Sequence, residues 1–276
     1  MDGEGDKFDL TYISFGAGVQ STALLAMSTL GMKGCPKADV AIFADTQAEI
    51  VDTYDNVRRM QAWAGERGIP VVTVTAGSLE KDAIEGVGRS HVNVPGFVKT
   101  VAGGRGVMRR HCTTDYKLVP IDREVRRRLG LTRKKAKGVV RVRAMLGISL
   151  DEAHRMKPSR YDWVVNCYPL VDARMTRHDC LGLLERQGIP KPPRSACRFC
   201  PFHRDHYWKW LKRERPGEFA LAAEFDRRFR KSQPGLLGEA YVHESLRPLD
   251  QIEFDEPDPQ TLLDGFGNEC FGMCGV

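Results

Sequence analysis

The stretch "YISFGAGVQSTALL", residues 12–25, decides the fold. Aromatic and β-branched positions lead into Gly16 and Gly18, then Ser21 and Thr22, then an apolar run. That order reads as a strand, a tight turn and a helix. A helix N-terminus carries unpaired N–H groups and partial positive charge, and glycines let a phosphate come close to such a backbone. The P-loop is excluded, because its Gly-x4-Gly-Lys-[Ser/Thr] pattern needs a lysine and this turn has none. The dinucleotide fingerprint fails at its third glycine, where Ser21 stands, and Asp45 comes late for a ribose-binding acid. A turn with no ligand is the remaining alternative.

Outward from the turn, the chain alternates. Residues 9–15 predict a strand and Gln20 to Leu30 a helix ended by Gly31. Residues 38–46 predict a second, buried strand, 51–68 an amphipathic helix and 69–77 a third strand. This succession requires right-handed crossovers and a parallel sheet with helices on both faces. Residues 86–111 are glycine-rich without helical periodicity and read as a long mobile loop. A helix over 116–130, a strand within 138–149, a short helix from Asp151, a helix from Thr176 to Gln187 and two helices in 203–231 follow. The expected fold is α/β, a Rossmann-like parallel sheet sandwiched by helices, in a domain over 1–195. Residues 196–276 form a helical, cysteine-bearing C-terminal extension.

The chain has 276 residues, of which 42% are hydrophobic, and a net charge of +6. No apolar run is long enough for a membrane span, and the acidic start "MDGEGDKFDL" has no apolar core, so a cytoplasmic protein without a membrane partner is expected. In a reducing compartment the eight cysteines favour metal or redox chemistry over structural disulfides. Cys197 and Cys200 form a Cys-x-x-Cys, whose tight turn can bring two sulfurs to one metal. Zinc, an iron–sulfur cluster and a redox dithiol are the open alternatives. His203 and His206 lie close enough in sequence to serve zinc. Cys35 and Cys167 sit in or beside apolar stretches and read as packing residues. Ten Lys or Arg residues and one Glu lie between Arg123 and Arg143, either a solvated face or a phosphate-gripping or nucleic-acid surface.

"GAGVQS" resembles the Ser-Gly-Gly-x-Asp-Ser loop of the PP-loop, or adenine-nucleotide α-hydrolase, superfamily at Gly18 and Ser21, and departs from it at Gly16, Ala17 and Gln20. "FADTQAEIVDTYDNV" is similar to the Asp-Thr-Gly-x-Glu element of the phosphoadenosine-phosphosulfate (PAPS) reductase branch. Asp45, Thr46, Glu49, Thr53 and Tyr54 match, and Gln47 replaces the glycine. "HCTTDYKLVPI" (111–121) resembles that branch's Cys-Thr-x-x-x-Lys-x-x-Pro element, and "PLVDARMTRHDCLGLLERQGIPKPPRSACRFCP" its closing Cys-x-x-Cys succession. The resemblance runs in order over about residues 9–202.

The resemblance implies an adenine nucleotide on Ser14, Phe15, Gly16, Ala17, Gly18, Gln20, Ser21, Asp45, Thr46, Glu49, Arg143 and Arg155, with Lys117 toward the substrate. It also implies a [4Fe–4S] cluster on Cys112, Cys197 and Cys200, with zinc as runner-up. Thr113 stands where some relatives carry a second cysteine, so Cys274, Cys270 or Cys180, in that order, is the fourth ligand. The tail "NECFGMCGV" resembles the Glu-Cys-Gly terminus of PAPS reductases, which makes Cys270 and Cys274 catalytic candidates, with Phe271 in place of glycine. Two reactions are then expected. In one, ATP with Mg2+ is cleaved between its α- and β-phosphates to adenylate an acceptor, such as nucleic acid, which takes sulfur from a donor protein. In the other, PAPS or adenylyl sulfate is reduced to sulfite with a thiol reductant protein. The first is the leading expectation, although Gln20 replaces the loop's usual Asp. A nucleotide- and metal-binding nucleic-acid module without turnover is the alternative of another class.

Overall fold

The computed structural model describes residues 7–85, 94–100, 103–131, 136–233, 236 and 238–254. β1 (Leu10–Ser14) runs through the glycine turn into α1 (Val19–Thr29). β2 (Val40–Asp45), α2 (Val51–Gly65) and β3 (Val71–Thr75) complete two crossovers, and α3 (Leu79–Glu85) follows. β4 (Phe97–Lys99) and β5 (Arg105–Val107) form an antiparallel hairpin. A π-helical turn, Thr114–Leu118, opens α4 (Val119–Arg128). β6 (Val142–Leu146), a 3-10 turn at Leu150–Arg155, β7 (Val164–Cys167), the short α5 (Pro169–Asp172) and α6 (Arg177–Arg186) come next. α7 (Asp205–Glu214), α8 (Pro216–Phe229) and β8 (Ala240–Tyr241) follow.

The main sheet has the order β3-β2-β1-β6-β7, all parallel. Its strands alternate between two apolar layers, as a sheet covered on both faces requires. Ile13, Ala41, Phe43 and Met145 face one core with α1, α2 and α6, closed by Leu24, Met60 and Leu183. Leu10, Val40, Ile42 and Ala144 face the other, against Ile121 and Val125 of α4. The sandwiched Rossmann-like sheet expected from the sequence is the one present. Strand order reverses at β1, with β2 on one side and β6 on the other. In open α/β sheets ligands bind outside the carboxyl ends of the strands at such a reversal, and here that point is the glycine turn.

The stretch read as a long loop differs. Within 86–111, residues 97–99 and 105–107 pair with each other, and β8 extends them to a second, three-stranded sheet. Three-residue strands are too short to show a period of two, so the pattern is silent about them. This sheet and α7–α8 share a third core with residues before 195: Ile50, Leu79, Val94 and Tyr116 pack with Trp208, Phe225 and Phe229. Tyr207, Trp208 and Leu211 are buried there, in the packing role that their helical spacing predicts. Arg215 also makes a two-pronged bond to Asp52 at the start of α2 (2.7 and 2.8 Å), which holds the Asp52 carboxyl below its usual range. No helix among the described residues is long and apolar enough to cross a membrane.

Candidate functional site

The turn is held open by its neighbours. Gly18 is the N-cap of α1 with extended backbone, and no side chain caps it. The first intrahelical donor is the Thr22 N–H, which bonds the Gly18 carbonyl at 3.0 Å. The amides of residues 19–21 therefore project past the end of the helix, where an anion is favoured. Ala17 takes a left-handed conformation (φ 59°), and the fully buried Asn56 of α2 fixes it by donating to the Ala17 carbonyl (2.9 Å) and to Thr22 Oγ1 (3.1 Å). The Ser21 hydroxyl donates to the Gly18 carbonyl at 3.2 Å.

One packing contact dictates glycine beside this turn and a second makes it tight. A Cβ on Gly147, just past β6, would lie 2.7 Å from the Ser21 amide nitrogen and 2.8 Å from its Cα. A Cβ on Gly18 would lie 3.3 Å from Ser195 Cβ. The segment before the Cys-x-x-Cys thus stands directly on the glycine turn. Ser195 precedes Cys197 by two residues, at most about 7 Å of chain.

Beside the turn, Gln20 is locked in a polar chain. Its Nε2 donates to the buried Glu152 (3.1 Å), and Arg177 Nη1 donates to its Oε1 (3.0 Å). Arg155 ion-pairs with the same Glu152. Arg155 therefore reaches the turn through Glu152. Arg143 does not: it pairs with Thr11, well below the carboxyl edge, and its guanidinium lies 4.1 Å from the Phe8 ring centroid. Parallel register puts a residue three before Leu146 about 10 Å from the strand end. Phe15 is buried against Phe43, so only its backbone faces the turn. Ser14 lines a cavity of about 230 Å³ under α4, with Leu146 and Asn166 at the ends of β6 and β7 and with Tyr161, Trp163 and Lys157.

The remaining predicted residues gather at a second centre. Asp45 accepts from the Gln47 amide (2.7 Å) and the Tyr54 hydroxyl (2.9 Å), which shapes the end of β2. Gln47 has φ 59° at the position where the related motif carries glycine. Thr46 Oγ1 lies 3.4 Å from both Glu49 Oε1 and Cys197 Sγ. Glu49, 1% exposed, pairs with Lys117 Nζ at 3.4 Å, a position set by the π-helical turn. Cys112, Cys197 and Cys200 line one small cavity of about 30 Å³ with Thr46, Lys117 and apolar groups. Burial and the adjacent Glu49 carboxylate push the Cys197 thiol well above its usual range. Among the described residues no three ligating side chains already converge on a point that would hold a metal ion.

Other cysteines separate from this centre. Cys180 and Cys35 are buried in the first core, and burial pushes each thiol up to about 12. Cys180 is therefore removed from the list of fourth ligands, because α6 buries it in the first core. Cys167 packs half-buried against the same core. His203 Nε2 is engaged by the Cys197 carbonyl (2.9 Å) and its ring stacks on Tyr207. Cys270 and Cys274 lie outside the described residues. In the basic run, Arg126 pairs with Asp122, Arg127 and Arg128 with Glu124, and Lys137 with Asp162. Those arginines and that lysine are neutralised locally.

Asn56, Gly147, Glu152, Arg177 and Ser195 escaped the sequence reading. Asn56 had a signal, as a polar residue on the apolar stripe of α2, and Gly147 had one as a glycine at a strand end. Glu152, Arg177 and Ser195 had none.

No family model matches the chain, and no curated protein matches it. Among solved structures, it is similar to phosphoadenylyl-sulfate (PAPS) reductase from Candida auris in a phosphate complex. There the identity is 15% and the TM-score 0.42, over 67% of this chain and 76% of that one. It is also similar to the U34-tRNA thiolase NcsA from Methanococcus maripaludis with its [4Fe-4S] cluster, at 14% identity and a TM-score of 0.40, over 90% and 84%. On its own strand order and crossovers, the chain is a Rossmann-like α/β protein with its glycine turn at the point where the sheet reverses.

Proposed function

We propose that the chain is a PP-loop enzyme, akin to the PAPS reductase family, that activates an acceptor with ATP for sulfur transfer. The observation that carries this reading is the continuity of residues 193–200. Pro193 and Ser195 stand on the phosphate turn, and Cys197 and Cys200 line the cysteine cavity with Cys112. An adenylated group at the turn would thus lie one short segment from three thiols.

The amides of residues 19–21 bind the phosphates, and the cavity under α4 takes the base and ribose between Trp163, Tyr161 and the strand ends. Mg2+ enters with ATP as part of the substrate. Arg177, bonded to Gln20, places positive charge beside the turn, where a leaving pyrophosphate develops negative charge, while the Arg155–Glu152 pair fixes Gln20. An acceptor oxygen attacks the α-phosphorus, the bond to the β-phosphate oxygen breaks and pyrophosphate leaves. A reduced sulfur nucleophile from the donor then displaces AMP.

Three thiols around one cavity match the thiolate donor set of a [4Fe–4S] cluster, and His203 Nε2 is engaged by the Cys197 carbonyl. Cys112, Cys197 and Cys200 would hold the cluster, with the fourth position left to Cys274 or Cys270 of the tail. Bound there, it would supply soft iron able to hold sulfur. Thr46, Glu49 and Lys117 order the wall around Cys197 and keep a polar, charge-paired face toward the acceptor.

Purified protein incubated with α-labelled ATP and single-stranded nucleic acid should release pyrophosphate and AMP when a sulfide source is present. Sulfite release from PAPS with a thiol reductant, and no pyrophosphate from ATP, would replace this reaction with the reductive one.

A further inference from the structure

We infer that the cleft between α2, residues 190–194 and α7 is the binding site for a single-stranded nucleic-acid segment. This rests on the reading above, in which an acceptor must approach the nucleotide and the cysteines together.

The cleft has a volume of about 380 Å³, within the range of ligand sites. Its acids are already committed: Asp52 to Arg215 and Asp55 to Arg58. Arg59, Lys191, Arg194 and Arg177 line the same walls, so the surplus charge in the cleft is positive. Arg194 is the distinctive member. Its guanidinium lies 5.0 Å from the Tyr207 ring centroid, and both Nη atoms are buried with no hydrogen-bond partner among the described residues. The Tyr207 hydroxyl is buried and lacks a hydrogen-bond partner among them as well. Buried polar groups nearly always have partners, and a cation already stripped of water is a strong anchor for an anion. Beside it the lining is aromatic: Trp210, half-buried, lies 5.3 Å from Tyr207, centroid to centroid, and lines the same cleft.

Cationic groups beside an aromatic ring in one cleft are the chemistry of an unpaired nucleotide within a strand. A free anion would use the arginines and leave Trp210 idle, and an A-form or B-form duplex keeps its bases away from such a face. The location fits an acceptor. Arg177 bonds Gln20 at the helix end, and the Arg194 segment continues into Ser195 on the glycine turn and then Cys197. The basic run on α4 is not this surface, since most of its described charges are paired in place.

Fluorescein-labelled 15-nucleotide oligouridylate and oligothymidylate, titrated with the full chain, test this by anisotropy. Binding should weaken with log salt at a slope of about −2 for three neutralised phosphates. Trp210→Ala should weaken it about tenfold by loss of one stack. The exposed Arg59→Glu and Lys191→Glu together should weaken it by at least as much, with ATP binding by calorimetry unchanged in all variants. Inorganic polyphosphate should be insensitive to Trp210→Ala. If both oligonucleotides bind the variants like the wild type, or bind no better than a blunt duplex of equal length, the cleft is not a single-strand site. Loss of ATP binding in the wild type would instead sink the nucleotide reading.

Discussion

Gly147→Ala is expected to abolish ATP binding while leaving a folded but weakened protein. The added methyl would overlap backbone, at 2.7 Å from the Ser21 nitrogen and 3.1 Å from the Gln20 carbonyl carbon, so no side chain can rotate away. Either α1 retreats from the end of β6 or β6 shifts in the sheet. The first motion moves the three amides proposed to bind the phosphates, and the second disturbs the Ser14 and Leu146 walls of the cavity under α4. Overpacking of this kind costs about 1–3 kcal/mol, which lowers the melting temperature by several degrees in a chain of this size. Calorimetry should find no ATP binding, and circular dichroism a native helix content. Wild-type affinity with a wild-type melting temperature would show that the contact between Gly147 and α1 is not as described.

The second large effect concerns iron. Anaerobically isolated protein should be brown and carry about four iron atoms per chain, and Cys112→Ser, Cys197→Ser and Cys200→Ser should each remove most of that iron. Cys180→Ala is the matched control. Its thiol is buried in the first core, so its loss leaves a small void and some instability but full iron content. Because the Thr46, Glu49 and Lys117 contacts surround Cys197, that variant should also lose thiolation most completely. Equal iron in the wild type and in all three serine variants would remove the cluster. Zinc in its place, lost in the same three variants, would keep the site and change its chemistry.

The glycine turn and the strand–helix alternation that follows it were legible because each segment has the length and period that its structure needs. Cys197 and Cys200 were legible as a Cys-x-x-Cys pair, but Cys112 joined them only through resemblance, since it lies 85 residues before Cys197 and no local pattern joins them. Thr46 and Glu49 were expected at the nucleotide, yet their side chains assemble at Cys197. The reason is that the end of β2 passes between the two centres, and residue-level motifs do not say toward which one a side chain turns. Arg143 stands away from the glycine turn for a simpler reason. A strand presents its carboxyl end to the ligand, and Arg143 stands near the amino end of β6, against Phe8. The β4–β5 hairpin was hidden by its brevity. Arg194 was invisible as a site because its meaning rests on Nη atoms with no hydrogen-bond partner among the described residues, which depends on tertiary packing rather than on local sequence.

The most direct test of the central claim is a crystal structure with the non-cleavable α,β-methylene analogue of ATP. Phosphate oxygens should lie within hydrogen-bond distance of the amides of Val19, Gln20 and Ser21, with the base under α4 beside Trp163. A nucleotide seated at any other place on the chain, or crystals that remain empty at saturating analogue, would contradict it.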